Sequence, residues 1–175
     1  MFTTRLANVD DAAVLTTLAS MAPEGLISAP DDWEHRLGEI HDSGNTTVVA
    51  EVCGQVVAFL WADLAMHIDF ELDLNWLCLN ALFVDPASRD QGIGKALITN
   101  TVNWAQKLGI PVIHGSCLVE SADWWRARGF TVAEPGAPWK THVSVNGQRL
   151  QIAAAGDTCA MWLHLVPPVE VDIQK

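Results

Sequence analysis

The sequence predicts a single-domain α/β fold, and three observations predict it. Apolar, β-branched runs of strand length recur along the 175 residues, and two of them, Thr46–Cys53 and Val56–Met66, are split only by a tight turn at Cys53-Gly54-Gln55. Segments with apolar residues at helical spacing lie between such runs. A buried-strand pattern, Leu77–Val84, passes through a proline turn and a two-glycine loop directly into a helix.

Composition narrows the class. Half of the residues are hydrophobic, enough for a sizeable core and too many for a disordered chain. There is no run of about 18 apolar residues, so no membrane span is expected. The N-terminus, Met-Phe-Thr-Thr-Arg-Leu, lacks the apolar core of a signal peptide. Cys53, Cys78, Cys117 and Cys159 have neither CxxC spacing nor a disulfide framework, which points to reduced thiols and a cytoplasmic protein with no metal site. A formal net charge of −11 argues against a nucleic acid partner, because phosphate binding needs a basic surface. It suits a cationic amine partner and equally suits simple solubility.

In chain order, Phe2–Ala7 opens as a first strand and Asn8–Asp11 offers helix caps. Ala12, Val14, Leu15, Leu18 and Ala19 follow at helical spacing. After a loop bounded by breakers, Asp31 or Asp32 caps a second helix from Trp33 to about His41. The hairpin comes next. Then, in the stretch 67–75, Asp69, Glu71 and Asp73 alternate with apolar residues and share one face, either as a solvated edge or as an acidic lip that attracts an ammonium group. On the strand Leu77–Val84, strict alternation sends Leu77, Leu79, Ala81 and Phe83 one way and Cys78, Asn80, Leu82 and Val84 the other. The helix after Gly92 carries a stripe of Ile93, Leu97, Thr101, Trp104 and Leu108, and stops at Gly109 before Pro111. Val112–Val119 is a strand, and Ser121 caps a short helix ending at Gly129. A strand over Thr131–Glu134 follows. Asn146-Gly147 joins Lys140–Val145 to Gln148–Ala153 as a hairpin, and Thr158–Val166 is a last strand.

The loop after Val84 has the character of a phosphate site, because the first N–H groups of a helix have no internal partner and sit at its positive end. A Walker A loop needs glycine at 89 and Ser or Thr at 96, where Arg89 and Ala96 stand. A Rossmann fingerprint needs a small residue at 97, where Leu97 stands, and a parallel βαβ repeat that is missing. Arg89-Asp90-Gln91-Gly92-Ile93-Gly94 does fit Arg/Gln-x-x-Gly-x-Gly/Ala.

With the preceding Leu-Phe-Val-Asp-Pro (82–86) and the later Trp124-Trp125-Arg-Ala-Arg-Gly-Phe130, this loop resembles the GNAT family, the GCN5-related N-acetyltransferases. The close match spans about 77–130, within one domain over 1–175. The resemblance implies a central mixed, mostly antiparallel sheet with a splayed strand pair, flanked by helices. The Asn-Gly hairpin is then an insertion that either lids the acceptor site or forms a dimer contact.

The same resemblance implies that the loop from Arg89 to Ala96 (with Asp90, Gln91, Gly92, Ile93, Gly94 and Lys95) holds the pyrophosphate of acetyl-CoA, that Leu82, Phe83 and Val84 hold its pantetheine arm, and that Trp125 covers it. The partners implied are acetyl-CoA and an amine acceptor, with Trp33, Glu71 and Asp73 as candidates to touch the acceptor. Homodimers are frequent in the family, and the oligomeric state stays open.

The chain departs from the family at the chemistry. Many members use a tyrosine acid where Trp125 stands, and this chain contains no tyrosine. Many place a glutamate base on the central strand, where Cys78 and Asn80 stand. Ser121 (through water), Cys117 and Glu120 lie near enough in sequence to replace the acid; for the base, an Asn80-held water that relays the proton to Glu71 or Asp73, selection of the neutral amine, and a covalent acetyl-enzyme on Cys78 or Cys117 stay open. A non-catalytic acyl-CoA sensor of the same fold is the alternative.

Overall fold

The computed structural model describes residues 1–22, 33–38, 45–64, 74–154 and 157–173. Its strands are β1 Phe2–Leu6, β2 Asn45–Val52, β3 Gln55–Leu64, β4 Leu77–Val84, β5 Val112–Cys117, β6 Thr131–Val132, β7 Trp139–Val145, β8 Gln148–Ile152, β9 Cys159–His164 and β10 Val171–Ile173. Among the described residues, seven strands form one sheet in the order β1-β2-β3-β4-β5-β9-β6, and every neighbouring pair in it is antiparallel except β4 and β5. The helices are α1 Ala12–Ser20, α2 Trp33–Gly38, α3 Ile93–Lys107 and α4 Ala122–Arg126.

Local chemistry explains most of these boundaries. Asn8 and Asp11 form a reciprocal capping box just ahead of α1. Cys53 and Gly54 both have positive φ, as do Asn146 and Gly147, so each hairpin closes on a two-residue turn whose twist matches its strands. The expected Ser121 cap does not form. Its Oγ donates to Leu118 O at 2.9 Å, and α4 begins after a 3-10 turn instead. The α3 stripe also differs at its end. Ala105 is buried and Leu108 is 53% exposed, because positions 93, 97, 101 and 105 follow the i, i+4 row and residue 108 lies past the last helical turn.

Three apolar clusters cover the sheet. Ile93, Leu97, Ile98 and Ala105 of α3 and Trp125 of α4 pack on Leu60, Ala62, Leu77 and Leu79. On the opposite face, Leu15, Leu18, Trp33 and Leu37 of α1 and α2 pack on Phe59, Trp61, Ala81 and Phe83. The third cluster centres on Trp76, Val112, Trp139, Val143 and Ala160.

Strict alternation along β4 therefore fails. Leu77 and Leu79 belong to the first cluster, while Ala81 and Phe83 belong to the second. The register shows why: Trp61 opposes Ala81 and Ala62 opposes Leu79, so Asn80 is one residue too many. That β-bulge exchanges the two faces of the strand.

The C-terminal hairpin is not a free arm. β7 and β8 form a second sheet with β10, which pairs in parallel with β7. Trp139 stacks on Trp162 of β9 at 5.2 Å, and this ties the second sheet to the first. β10 carries no strand signal in the sequence, because it is three residues long and follows Pro167-Pro168.

β4 and β5 pair only at Leu77–Ile113, Cys78–His114 and Leu79–Gly115, and then diverge. A Cβ on Gly115 would lie 2.6 Å from Leu79 O, so only glycine permits this close approach. Gly115→Ala is expected to cost about 1–3 kcal/mol, the usual range for overpacking. Urea unfolding with an unchanged slope would report it.

Candidate functional site

The divergence of β4 and β5 opens a cleft of about 720 Å³. One wall is β4 from Leu79 to Val84, and the other is the end of β5 with Leu118, Glu120 and Ser121. The N-terminus of α3 closes one end, and Trp124, Trp125 and Arg128 of the α4 region roof it. Beyond Leu79 the β5-facing edge of β4 has no partner strand among the described residues, so its backbone groups there face the cleft.

The loop at the end of the cleft is shaped by its own sequence. Asp85 caps the Pro86–Ser88 turn by accepting from Ala87 N at 3.0 Å, and Arg89 donates from Nε to Val84 O at 3.1 Å. Gly92 has φ +80, a left-handed conformation that side chains resist. Gly94 serves packing instead: a Cβ there would press on the Trp124 ring at 3.2 Å. The first bond inside α3 runs from Ala96 N to Gly92 O at 3.0 Å, and no side chain caps the helix. The N–H groups of Ile93, Gly94 and Lys95 thus have no acceptor within the helix, which is the arrangement an anion completes. Arg89, Lys95 and Arg128 line the cleft against Asp90 and Glu120, a positive local balance on a protein of net charge −11.

Most of the expected cofactor residues line this cleft: Leu82, Phe83, Val84, Arg89, Asp90, Gly92, Ile93, Gly94, Lys95 and Trp125. Gln91 and Ala96 do not, and the Ala96 N–H is committed to the helix. Phe83 sends its ring into the second core cluster, leaving its backbone to the cleft. Trp125 is mostly core, edge-on to Phe130 at 5.1 Å. Trp33 is buried edge-on against Phe59 and Trp61 and does not line the cleft. Glu71 and Asp73, like Asp31, Asp32 and His41, lie outside the described residues.

Asn80 and Ser121 both line the cleft; Cys78 stands beside Asn80, its Sγ 3.5 Å from Asn80 Oδ1. Burial first, and then the neighbouring Asp63 charge, push the Cys78 thiol up to about 11. Burial likewise raises Cys117 to about 11. Neither is a nucleophilic thiolate near neutral pH.

Sequence reasoning missed the group that organises this spot. Asp63 of β3 accepts from Asn80 Nδ2 at 2.8 Å and from Trp61 Nε1 at 2.9 Å, and it pairs with Arg36 of α2. The Arg36 guanidinium lies 4.0 Å over the Trp61 ring. The available signal was a single charge inside the apolar strand Gln55–Leu64.

The family comparison agrees with this geometry. The acetyltransferase (GNAT) family profile matches residues 14–130, and the chain belongs to that family. Solved structures share the fold across nearly the whole chain. yncA from Salmonella typhimurium, solved with its cofactor acetyl-CoA, is 21% identical with a TM-score of 0.68, over 97% of this chain and 96% of its own. A phosphinothricin acetyltransferase from Sinorhizobium meliloti in complex with acetyl-CoA is 22% identical with a TM-score of 0.66, over 97% and 94%. The PaiA N-acetyltransferase from Thermoplasma acidophilum, in complex with coenzyme A, is 13% identical with a TM-score of 0.67, over 94% and 99%. No functionally curated protein matches the chain significantly. Among the described residues, no helix is long and apolar enough to cross a membrane, and no cluster of three or more His, Cys, Asp or Glu could hold a metal ion.

The raised thiol is directly testable. With iodoacetamide at pH 8, Cys78 is expected to label at least about tenfold more slowly than exposed Cys53, since a higher pKa leaves less thiolate. Peptide mass spectrometry over a time course would measure both.

Proposed function

We propose that this protein is an acetyl-CoA-dependent N-acetyltransferase that moves acetyl directly to an amine, whether a small amine, an amino acid or a protein N-terminus. One observation carries the reading: an unpaired edge of β4 leads through a single cleft to an uncapped helix N-terminus. An extended amide-bearing arm suits the first and a pyrophosphate suits the second. The N–H groups of Ile93, Gly94 and Lys95, with Arg89, hold the pyrophosphate. The backbone of Leu82–Val84 holds the pantetheine. Residues 1–175 act as one domain with its coenzyme core at about 77–130. Four cysteines without disulfides favour a reducing, cytoplasmic setting.

The amine nitrogen attacks the thioester carbonyl carbon, the C–N bond forms, the C–S bond breaks, and the amine loses one proton while the departing sulfur gains one. A β4 backbone N–H at the unpaired edge polarises the carbonyl. A thiolate is a far weaker base than an alkoxide or an amide anion and departs with little help, so a tryptophan in place of the usual tyrosine acid is compatible with turnover. The Cys78 thiol is held protonated, which favours direct transfer over an acetyl-cysteine intermediate.

Calorimetric titration with acetyl-CoA, followed by thiol release against an amine panel, tests the reading. Binding with steady turnover on one amine class is expected. Binding without turnover on any amine would favour the non-catalytic sensor, and no binding would overturn both. Gly92→Asp is expected to abolish measurable acetyl-CoA binding, because it strains a backbone at φ +80 and adds like charge where phosphate must approach.

A further inference from the structure

Asp63 is a charged side chain in an otherwise apolar strand, and the reaction as written gives it no task. We propose that Asp63, anchored by Arg36, is a positioning residue: it fixes the Asn80 amide so that Oδ1 is the hydrogen-bond acceptor offered to an N–H of the acceptor amine. This rests on the acetyltransferase reading above and adds how that site orients its second substrate.

The orientation follows from hydrogen-bond inventory. A carboxylate only accepts, so the Asn80 atom 2.8 Å from Asp63 must be the amide nitrogen. The oxygen then faces the other way, into the space shared with Cys78 Sγ at 3.5 Å. A thiol is a weak donor, and an amine N–H entering the cleft displaces it readily. Asp63 itself cannot swing to other partners. Arg36 and the Trp61 indole N–H engage Oδ1 while Asn80 engages Oδ2, and stacking on Trp61 holds the Arg36 guanidinium in turn.

Backbone geometry brings the set to the reaction. Asn80 is the extra residue of the β4 bulge, at the point where β5 departs and the cleft begins. Without the bulge, Asn80 would stay in the regular alternation of β4 and pair across from β3. A fixed acceptor there holds one N–H of a neutral amine, so its lone pair can be aimed at a carbonyl carbon lying along β4. The ligand chemistry selected is a primary amine, which keeps one N–H on Asn80 Oδ1 while the other proton is lost in the reaction.

The test is a polarity swap. Asp63→Asn lets the Asn80 amide adopt either orientation, and a drop in kcat/KM for the amine of about tenfold to hundredfold is expected, the scale of a misplaced reactant. Its calorimetric affinity for acetyl-CoA should stay at the wild-type value, which also shows that the variant folds. Asn80→Asp sets two carboxylates face to face and should lose activity as well. The double variant Asp63→Asn/Asn80→Asp restores a donor–acceptor pair with an acceptor toward the amine, and should recover most of the loss. A purely structural anchor for Arg36 would not be rescued in this way. Full activity in Asp63→Asn, or a double variant no better than its singles, overturns the proposal while leaving the acetyltransferase reading intact. A wild-type protein that binds no acetyl-CoA or acetylates no amine overturns both.

Discussion

The approach of Gly115 to the carbonyl of Leu79 is the constraint on which the rest depends. Two parallel strands meet for three residue pairs because one of them presents no Cβ, and then they part. Parting costs backbone hydrogen bonds, and an unpaired strand edge inside a folded protein is unfavourable unless something completes it. Here the gap opens onto the N-terminus of α3, where three more N–H groups lack internal acceptors. A single extended ligand with an anionic end answers both deficits at once. The cleft is thus a set of unmet backbone bonds as much as a cavity.

Apolar packing holds the gap open. The first cluster fixes α3 and α4 against one face of the sheet, and the second fixes α1 and α2 against the other. Neither β4 nor β5 can slide to close the space without losing a core. The aromatic third cluster, with Trp139 stacked on Trp162, extends the support to β9 and the second sheet. The roof is tied to the same core: Trp124 rests on Gly94 and stands edge-on to buried Trp125 at 4.9 Å, and the Arg128 guanidinium lies 3.3 Å over the Trp124 ring.

Polar groups are sparse inside and connected where they occur. Asp63, Arg36, Trp61, Asn80 and Cys78 form one chain of contacts across three elements. Even a partly buried charge is costly unless paired, so Asp63 and Arg36 are each explained by the other. What they leave over is a single oriented amide at the head of the cleft.

The sequence by itself determined the elements whose causes are local. The phosphate-type loop is legible because Gly92, Gly94, Asp85 and Pro86 act within a few residues of one another. The hairpins are legible because Gly54 and the Asn146-Gly147 pair accept positive φ between runs of strand-forming residues. Most of the cleft lining follows from that stretch, since one strand, one loop and one helix start supply it. Tertiary structure decided what needs a partner far along the chain. The face reversal on β4 depends on its register against β3, which alternation along one strand cannot reveal. The Asp63–Asn80 and Arg36–Asp63 contacts span 17 and 27 residues, so no local spacing marks them. β10 exists only because β7 offers it an edge. Short-range backbone preference writes the strand, loop and helix into the sequence; the charge that aims the site is placed by the way the sheet is assembled.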